Sequence, residues 1–320
     1  MAKIHHLFVI DPIENLNLKL DSSLRVARAL CNIGHLAYIC TPGQLEWLSR
    51  ESCAAAFAQE LAFPDGTINS MRLSPARRLR LDFFQAIHMR KDPPYDMNYI
   101  ASTWLLDSAV ARGVKVYNAP AALRNLNEKL SIFKYPDAIR DGLVSADPQQ
   151  LLHFLKESSN GDAVLKPLTL YGGHGVLRLN LNQQKEEQIL HILREETQDG
   201  QDLRLMQAFD QRIFEGELRT FCVNGKALSW CLKKPQGDNF LANTRSGATL
   251  ESYHPHLDEV AMVEKVAQSL LDEGVYFVGF DIIGNFISEI NITSPRLLHG
   301  PDDTRDYYKE IATAIDLDLG

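Results

Sequence analysis

The stretch FVGFDIIGNFISEINITSP, residues 277–295, constrains this chain most. Its two apolar runs are separated by Gly284-Asn285, a pair suited to a two-residue hairpin turn. Asp281, Glu289 and Asn291 are set among Val278, Phe280, Ile282, Ile287 and Ile290. Carboxylates in such surroundings need a partner or a cation. Glu289 and Asn291 are two apart and share one strand face. The three groups offer hard oxygen donors, which suit Mg²⁺ rather than zinc or copper. A hairpin with a merely polar solvent face is the alternative, and the register separates the two. In a regular two-residue hairpin Asp281 faces Ser288, and Glu289 points to the other side of the sheet. A shared metal site requires 281 opposite 289. A three-residue loop at 284–286, or an equivalent bulge, is therefore expected.

The chain around this hairpin has 320 residues, 45% apolar and 23% charged. A single core stops growing at roughly 250–300 residues, so two compact units are expected. The first third alternates strand and helix. HLFVI (6–10), HLAYIC (35–40), QAIHMR (85–90) and VKVYN (114–118) read as strands. Ser22–Ile33 and Ile100–Arg112 read as helices, giving an α/β unit with a parallel sheet. Residues 42–84 are less regular, and their basic stretch Arg72–Arg80 reads as solvated surface. Asn118-Ala119-Pro120 breaks the pattern, which places a boundary near Ala122. Beyond it come helices at Pro148–Ser158, Gln184–Thr197, Pro255–Leu271 and about Thr304–Ala314. Strands are expected at AVLKP, Arg204–Phe209, Glu217–Val223 and Lys226–Lys234, besides the hairpin.

Lys plus Arg is 33 against 41 Asp plus Glu, a net charge of −8. That argues against a nucleic-acid or anionic-membrane partner. The five cysteines (Cys31, Cys40, Cys53, Cys222, Cys231) form no metal or disulfide spacing and read as free buried thiols. No signal peptide is legible, and no stretch approaches the ~20 apolar residues of a membrane helix. A cytoplasmic location is expected.

Two further segments bear on chemistry. In VLKPLTLYGGHGV (164–176) a strand carrying Lys166 leads into a loop with Gly172, Gly173 and Gly175. Glycines let backbone N–H groups approach phosphate oxygens, and a lysine adds a point charge. The spacing is neither a Walker A loop nor a dinucleotide fingerprint, so alone it also reads as a flexible hairpin loop. Arg219 in GELRTFCVNG and Lys129 in NLNEKLSIF read individually as ordinary surface charges.

Taken together, the segments resemble the ATP-grasp superfamily, and more closely the prokaryotic glutathione synthetases. The resemblance is carried by DPIENLNLKLDSS (11–23), MRKDPPYD (89–96), NEKL (127–130), LKPLTLYGGHG (165–175) and the hairpin (277–295), in order. It implies an N-terminal pre-ATP-grasp domain over 1–122, which binds substrate. An ATP-grasp domain over 123–320 would follow, split into a central lid subdomain (123–203) and a C-terminal catalytic subdomain (204–320). Lys129 and Lys166 would hold ATP phosphates, under a loop of Gly172, Gly173 and Gly175. Met206, Gln207 and Phe209 would line the adenine slot, and Glu217 would reach the ribose. Arg219 would contact the transferring phosphate or acyl intermediate. Asp281, Glu289 and Asn291 would hold two Mg²⁺ ions, or Mn²⁺, bridging the phosphates. Asp11, Asn15, Ser22, Arg90 and Asp92 would line the peptide-substrate side. The implied reaction phosphorylates the C-terminal carboxylate of γ-glutamylcysteine with ATP and joins it to glycine, in a homo-oligomer (tetramer or dimer).

The chain departs from this pattern where a closing loop is expected. CLKKPQGDNFLANTRSGA (231–248) is shorter and poorer in arginine than the family's loop after C-L-A-R. Lys233 or Lys234 stands near a usual arginine, and Arg245 is retained as a catalytic and substrate-binding candidate. RLLHGPDDTRDYY after Ser294-Pro295 is also atypical. A ligase with another γ-glutamyl or amino-acid substrate pair, or a weakly active regulatory paralogue, is the alternative.

Overall fold

The computed structural model describes residues 3–18, 20–237 and 239–320, and of Arg245 the backbone only. Three sheets follow one another along the chain. The first contains β1 (His5–Val9), β2 (Leu36–Cys40), β3 (Leu45–Glu46), β4 (Ala55–Ala62), β5 (Arg72–Leu73), β6 (Arg77–Arg80), β7 (Ala86–Met89) and β8 (Lys115–Tyr117). The second contains β9 (Gly142–Ser145), β10 (Asp162–Pro167), β11 (Leu177–Asn180) and β12 (Arg204–Ala208). The third contains β13 (Glu217–Val223), β14 (Lys226–Lys234), β15 (Thr249–Ser252), β16 (Phe277–Ile283) and β17 (Phe286–Asn291). Helices are α1 (Ser22–Asn32), α2 (Met97–Val110), α3 (Pro120–Asn125), α4 (Pro148–Glu157), α5 (Glu186–Glu196), α6 (Leu257–Asp272) and α7 (Tyr307–Leu319).

The first sheet has the expected parallel centre, β2-β1-β7-β8. Residues 42–84, expected to be irregular, add an antiparallel edge in which β4 pairs with β2. The alanine-rich AAFAQELA of β4 has little hydrophobic contrast between its faces, so period-2 reading missed it. The arginines of β6 are exposed as expected, and Arg78 pairs with Glu46 and Glu51. Asp96 accepts from Tyr99 N at 2.9 Å and starts α2 a turn earlier than the apolar pattern suggests.

The second and third sheets are antiparallel, in the orders β11-β10-β12-β9 and β15-β14-β13-β16-β17. Leu151, Leu155, Ile189 and Leu193 of α4 and α5 pack on Leu165 and Met206 of the second. Val263, Val266 and Leu270 of α6 join the core that holds Val278, Phe280, Ile282 and Ile290 of the third. The last helix lies about a turn later than expected. Its Ile311 and Ile315 pack with Leu24 and Leu30 of α1, so the C-terminus returns to the N-terminal sheet. Asn118 ties the two regions. Its Nδ2 donates to Phe277 O and Ile292 O, each at 2.7 Å, and its Oδ1 accepts from Tyr276 N and Phe277 N.

Candidate active site

The hairpin keeps its two-residue turn and adds a bulge. Ile283 faces Phe286 and Ile282 faces Ile287, but Asp281 faces Glu289 and Gly279 faces Asn291. Ser288 is the extra residue. Its hydroxyl donates to Asp281 O at 3.2 Å. The shift lets Ile287 and Ile290 stay in the core while Glu289 and Asn291 turn to the opposite face. This is the register that a shared site demands.

The same face collects charge from neighbouring strands. Asp281 lies opposite Arg219 on β13, and Glu217, two residues earlier, lies opposite Lys233 on β14. Arg219 Nη1 donates to Asp281 Oδ2 at 2.9 Å, and Asn291 Nδ2 donates to the same oxygen at 2.9 Å. Lys233 Nζ donates to Asp281 Oδ1 at 2.6 Å and pairs with Glu217 Oε2 at 2.5 Å. Burial opposes ionisation of Asp281, but Arg219 and Lys233 outweigh it and hold the carboxyl well below the usual range. Burial pushes Glu217 up, and Lys233 only partly offsets it. Burial also opposes the charge on Lys233, yet Asp281 and Glu217 prevail and keep it protonated.

Gly279 makes room for Arg219. A Cβ at this position would lie 2.6 Å from Arg219 Nη2 and 2.8 Å from its Cζ. On the opposite wall, Lys129 Nζ pairs with Glu289 Oε1 at 3.1 Å and donates to Leu170 O at 2.5 Å, joining the glycine loop to β17. Burial lowers the Lys166 pKa, and Glu289 and Glu217 partly restore it. Segment 239–248 reaches the glycine loop: Asn243 Nδ2 donates to Gly172 O at 2.8 Å. Arg296 Nη2 donates to Thr244 Oγ1 at 3.3 Å from the other side.

These elements enclose a cavity of about 320 Å³. One end is apolar, with Val164, Val176, Phe209 and Phe240. Gln207 lines this end, its Oε1 buried and without a hydrogen-bond partner. Phe209 meets Phe240 edge-on and carries the Arg178 guanidinium 3.6 Å from its ring centroid. The other end is formed by Asp21, Ser22, Ser23, Arg90 and Asp92 of the first sheet's region. Arg90 donates to Ser23 Oγ at 3.1 Å and Pro295 O at 2.8 Å. Burial raises both Asp21 and Asp92. The cations Lys129, Lys166, Arg219 and Lys233 also line the cavity.

Two family models match, the prokaryotic glutathione synthetase N-terminal domain over 4–124 and its ATP-grasp domain over 128–301. A glutathione synthetase of Prochlorococcus marinus is 35% identical over 289 residues, covering 90% of this chain and 91% of the relative. The chain belongs to the prokaryotic glutathione synthetase family. A Nitrosomonas europaea glutathione synthetase is 32% identical, covering 90% of this chain and 89% of the relative. Among solved structures, D-cycloserine synthetase DcsG has a TM-score of 0.68 at 14% identity, covering 98% of this chain and 100% of that one, a likeness of fold.

The residues singled out by the glutathione synthetase resemblance separate into three groups. Lys129, Lys166, Gly172, Gly173, Gln207, Phe209, Glu217, Arg219, Asp281, Glu289 and Asn291 all line the cavity, as do Ser22, Arg90 and Asp92. Met206, Gly175, Asp11 and Asn15 are not among the lining residues. Strand alternation turns the Met206 side chain into the core under α4 and α5. Gly175 sits beside Pro167. Asp11 pairs with Lys91 at 2.9 Å and accepts from Asp92 N at 2.8 Å, so it supports the wall from behind. Asn15 is exposed at the end of a short turn. The Arg245 side chain lies outside the described part.

Lys233, not Lys234, enters the site. Lys234 points away and pairs with Glu251. Glu128 went unnoticed beside Lys129. Its Oε1 accepts from Ile292 N (2.7 Å), Thr293 N (2.9 Å) and Thr293 Oγ1 (2.9 Å), fixing the chain just after β17. Burial raises its pKa and Glu289 adds to the rise.

Among the described residues no three His, Cys, Asp or Glu side chains converge as a ready metal site. Glu289 and Asn291 nevertheless line the cavity as hard donors, with Lys129 engaging one Glu289 oxygen. Hard oxygen donors of this kind suit Mg²⁺.

Proposed function

We propose that the chain is a glutathione synthetase, an ATP-dependent ligase that phosphorylates the C-terminal carboxylate of γ-glutamylcysteine and joins it to glycine. The observation that carries this is one cavity whose lining brings together apolar and aromatic residues, the cations Lys129, Lys166, Arg219 and Lys233, and an Arg90-bearing group. ATP would lie with adenine beside Phe209 and Gln207, whose unpartnered Oε1 can accept from an amino group. Lys129 and Lys166 neutralise its phosphates, and the backbone at Gly172 and Gly173 covers them. Mg²⁺ at Glu289 and Asn291 would supply further charge neutralisation when bound.

Phosphoryl transfer is mainly positioning plus electrostatic stabilisation. Arg219 reaches both the transferring phosphate and the oxyanion formed when glycine attacks the acyl phosphate. The carboxylate oxygen attacks the γ-phosphorus and ADP leaves; the glycine amine then attacks the acyl carbon, loses a proton and phosphate leaves. Segment 239–248 restrains water from the acyl phosphate through its contacts with Gly172 and Arg296. The far end, with Arg90, Ser22 and Asp92, suits an amino-acid-like substrate. The free thiols suit a reducing cytoplasm, and a homo-oligomer is part of the reading.

The test is ATP-dependent phosphate release with γ-glutamylcysteine and glycine, beside other acyl donors and amines. Turnover with the first pair is expected. Turnover with another pair alone would favour the second reading, a ligase with changed substrates, which the arginine-poor segment 231–248 supports. ATP binding with no turnover would point to a regulatory paralogue.

A further inference from the structure

Lys233 lies against Asp281, one of the residues that the resemblance assigns to two divalent cations. It sits on β14, an interior strand of the third sheet, and is only 7% exposed. Its ammonium is shared between Asp281 Oδ1 at 2.6 Å and Glu217 Oε2 at 2.5 Å. Asp281 Oδ2 meanwhile accepts from Arg219 and Asn291, each at 2.9 Å. A carboxylate has about four lone-pair sites. Asp281 therefore spends three of them on protein donors, two of these cationic. Glu289 differs. It faces the slot at 24% side-chain exposure and has a salt bridge to Lys129.

We infer that the Lys233 ammonium replaces one divalent cation, so that this chain binds its nucleotide with a single metal ion at Glu289 and Asn291. This rests on the ligase reading above. The physical reason is that a tethered cation already satisfies Asp281 and Glu217. A second metal ion would have to displace a buried lysine from both of the carboxylates that hold it. Lys233 is held in place by both acids, and Ser288 Oγ donates to Glu217 Oε1 at 3.3 Å, fixing that carboxyl as well.

The experiment counts metal. The full chain is saturated with a non-hydrolysable ATP analogue and titrated with Mn²⁺, and bound Mn²⁺ is read from the loss of the free-ion EPR signal. Calorimetry on the same samples measures nucleotide binding. One Mn²⁺ per chain is expected for the wild type and for Lys233→Arg, and two for Lys233→Ala. Two in the wild type would overturn the inference, as would one in a folded Lys233→Ala. Should that variant fail to fold, the wild-type count still decides. Failure to bind the nucleotide at all would overturn the ligase reading along with the inference. Intact nucleotide binding with two metal ions would overturn the inference alone.

Discussion

Replacing Gly279 by alanine tests whether the position of Arg219 governs the chemistry. The added Cβ would lie 2.6 Å from Arg219 Nη2, whereas ordinary carbon contacts begin near ~3.5 Å. The guanidinium must therefore retreat by about 1 Å. The guanidinium is buried and paired to Asp281, so shifting it should cost about 1–3 kcal/mol of folding stability. Catalysis should suffer as well. Arg219 donates to Asp281 at 2.9 Å, and a misplacement of about 1 Å at a positioning group costs up to about 10²-fold. The expected loss in kcat/KM is roughly 10- to 100-fold, or about 1.4–2.7 kcal/mol of transition-state stabilisation. Phosphate release with γ-glutamylcysteine and glycine measures the rate, and ADP binding checks that the nucleotide end is intact. A double-variant cycle sharpens the test. Once Arg219→Ala has removed the guanidinium, adding Gly279→Ala should cost almost nothing more. Wild-type turnover in Gly279→Ala, or losses that simply add in the double variant, would refute the reasoning.

Three further expectations follow from the same contacts. Asp281→Asn and Glu289→Gln should each reduce ligation by about 10²-fold or more with an unchanged circular dichroism spectrum; near-normal turnover in both would remove them from the site. Glu128→Ala should orphan the N–H groups of Ile292 and Thr293 and destabilise the chain by about 2–4 kcal/mol, read as a lower urea midpoint. The buried His6–His88 pair, with Nδ1 and Nε2 3.1 Å apart, should make the fold acid-sensitive. Burial drives the His6 pKa from 6.5 down to about 3 and His88 well below its ordinary value, so the unfolded chain binds more protons as pH falls. The stability contributed by neutral imidazoles is complete above about pH 6.5 and is lost on descending toward 3, by about 2 kcal/mol per histidine at pH 5. Asp21, Asp92 and Glu128, with raised pKa values, act in the opposite sense. The comparison is therefore with a His6→Gln, His88→Gln variant, whose urea midpoint should fall less between pH 7 and pH 5; an equal fall would exclude the pair as the cause.

The parallel centre of the first sheet was legible because β1, β2, β7 and β8 are short apolar runs separated by helical patterns or turn residues. Its antiparallel edge was not, since half of β4 is alanine, whose placement depends on partners distant in sequence. The hairpin was legible in more detail. Five apolar residues had to face a core while two acids and an amide faced elsewhere, and no regular two-residue hairpin satisfies both. Ser288 as the bulged residue resolves that conflict.

The limit of sequence reading lies one strand away. Glu217 and Lys233 are 16 residues apart, and each is an ordinary charged residue in an ordinary strand. Only the β13–β14 register places them opposite each other, and only the β13–β16 register brings Asp281 beside Arg219. Composition pointed the other way, since a chain of net charge −8 gives no hint of Lys129, Lys166, Arg219 and Lys233 around one slot. The acids counted in that total include Asp281, Glu289 and Glu217, which neutralise those cations at rest. Polyphosphate entry then needs no cationic surplus at the surface. It can draw on Lys129, a buried cation held by a single carboxylate. Lys129 bound to Glu289 is open to exchange, whereas Lys233, held by two acids, is not. That asymmetry divides the cations of this site into those that serve the ligand and one that serves the protein.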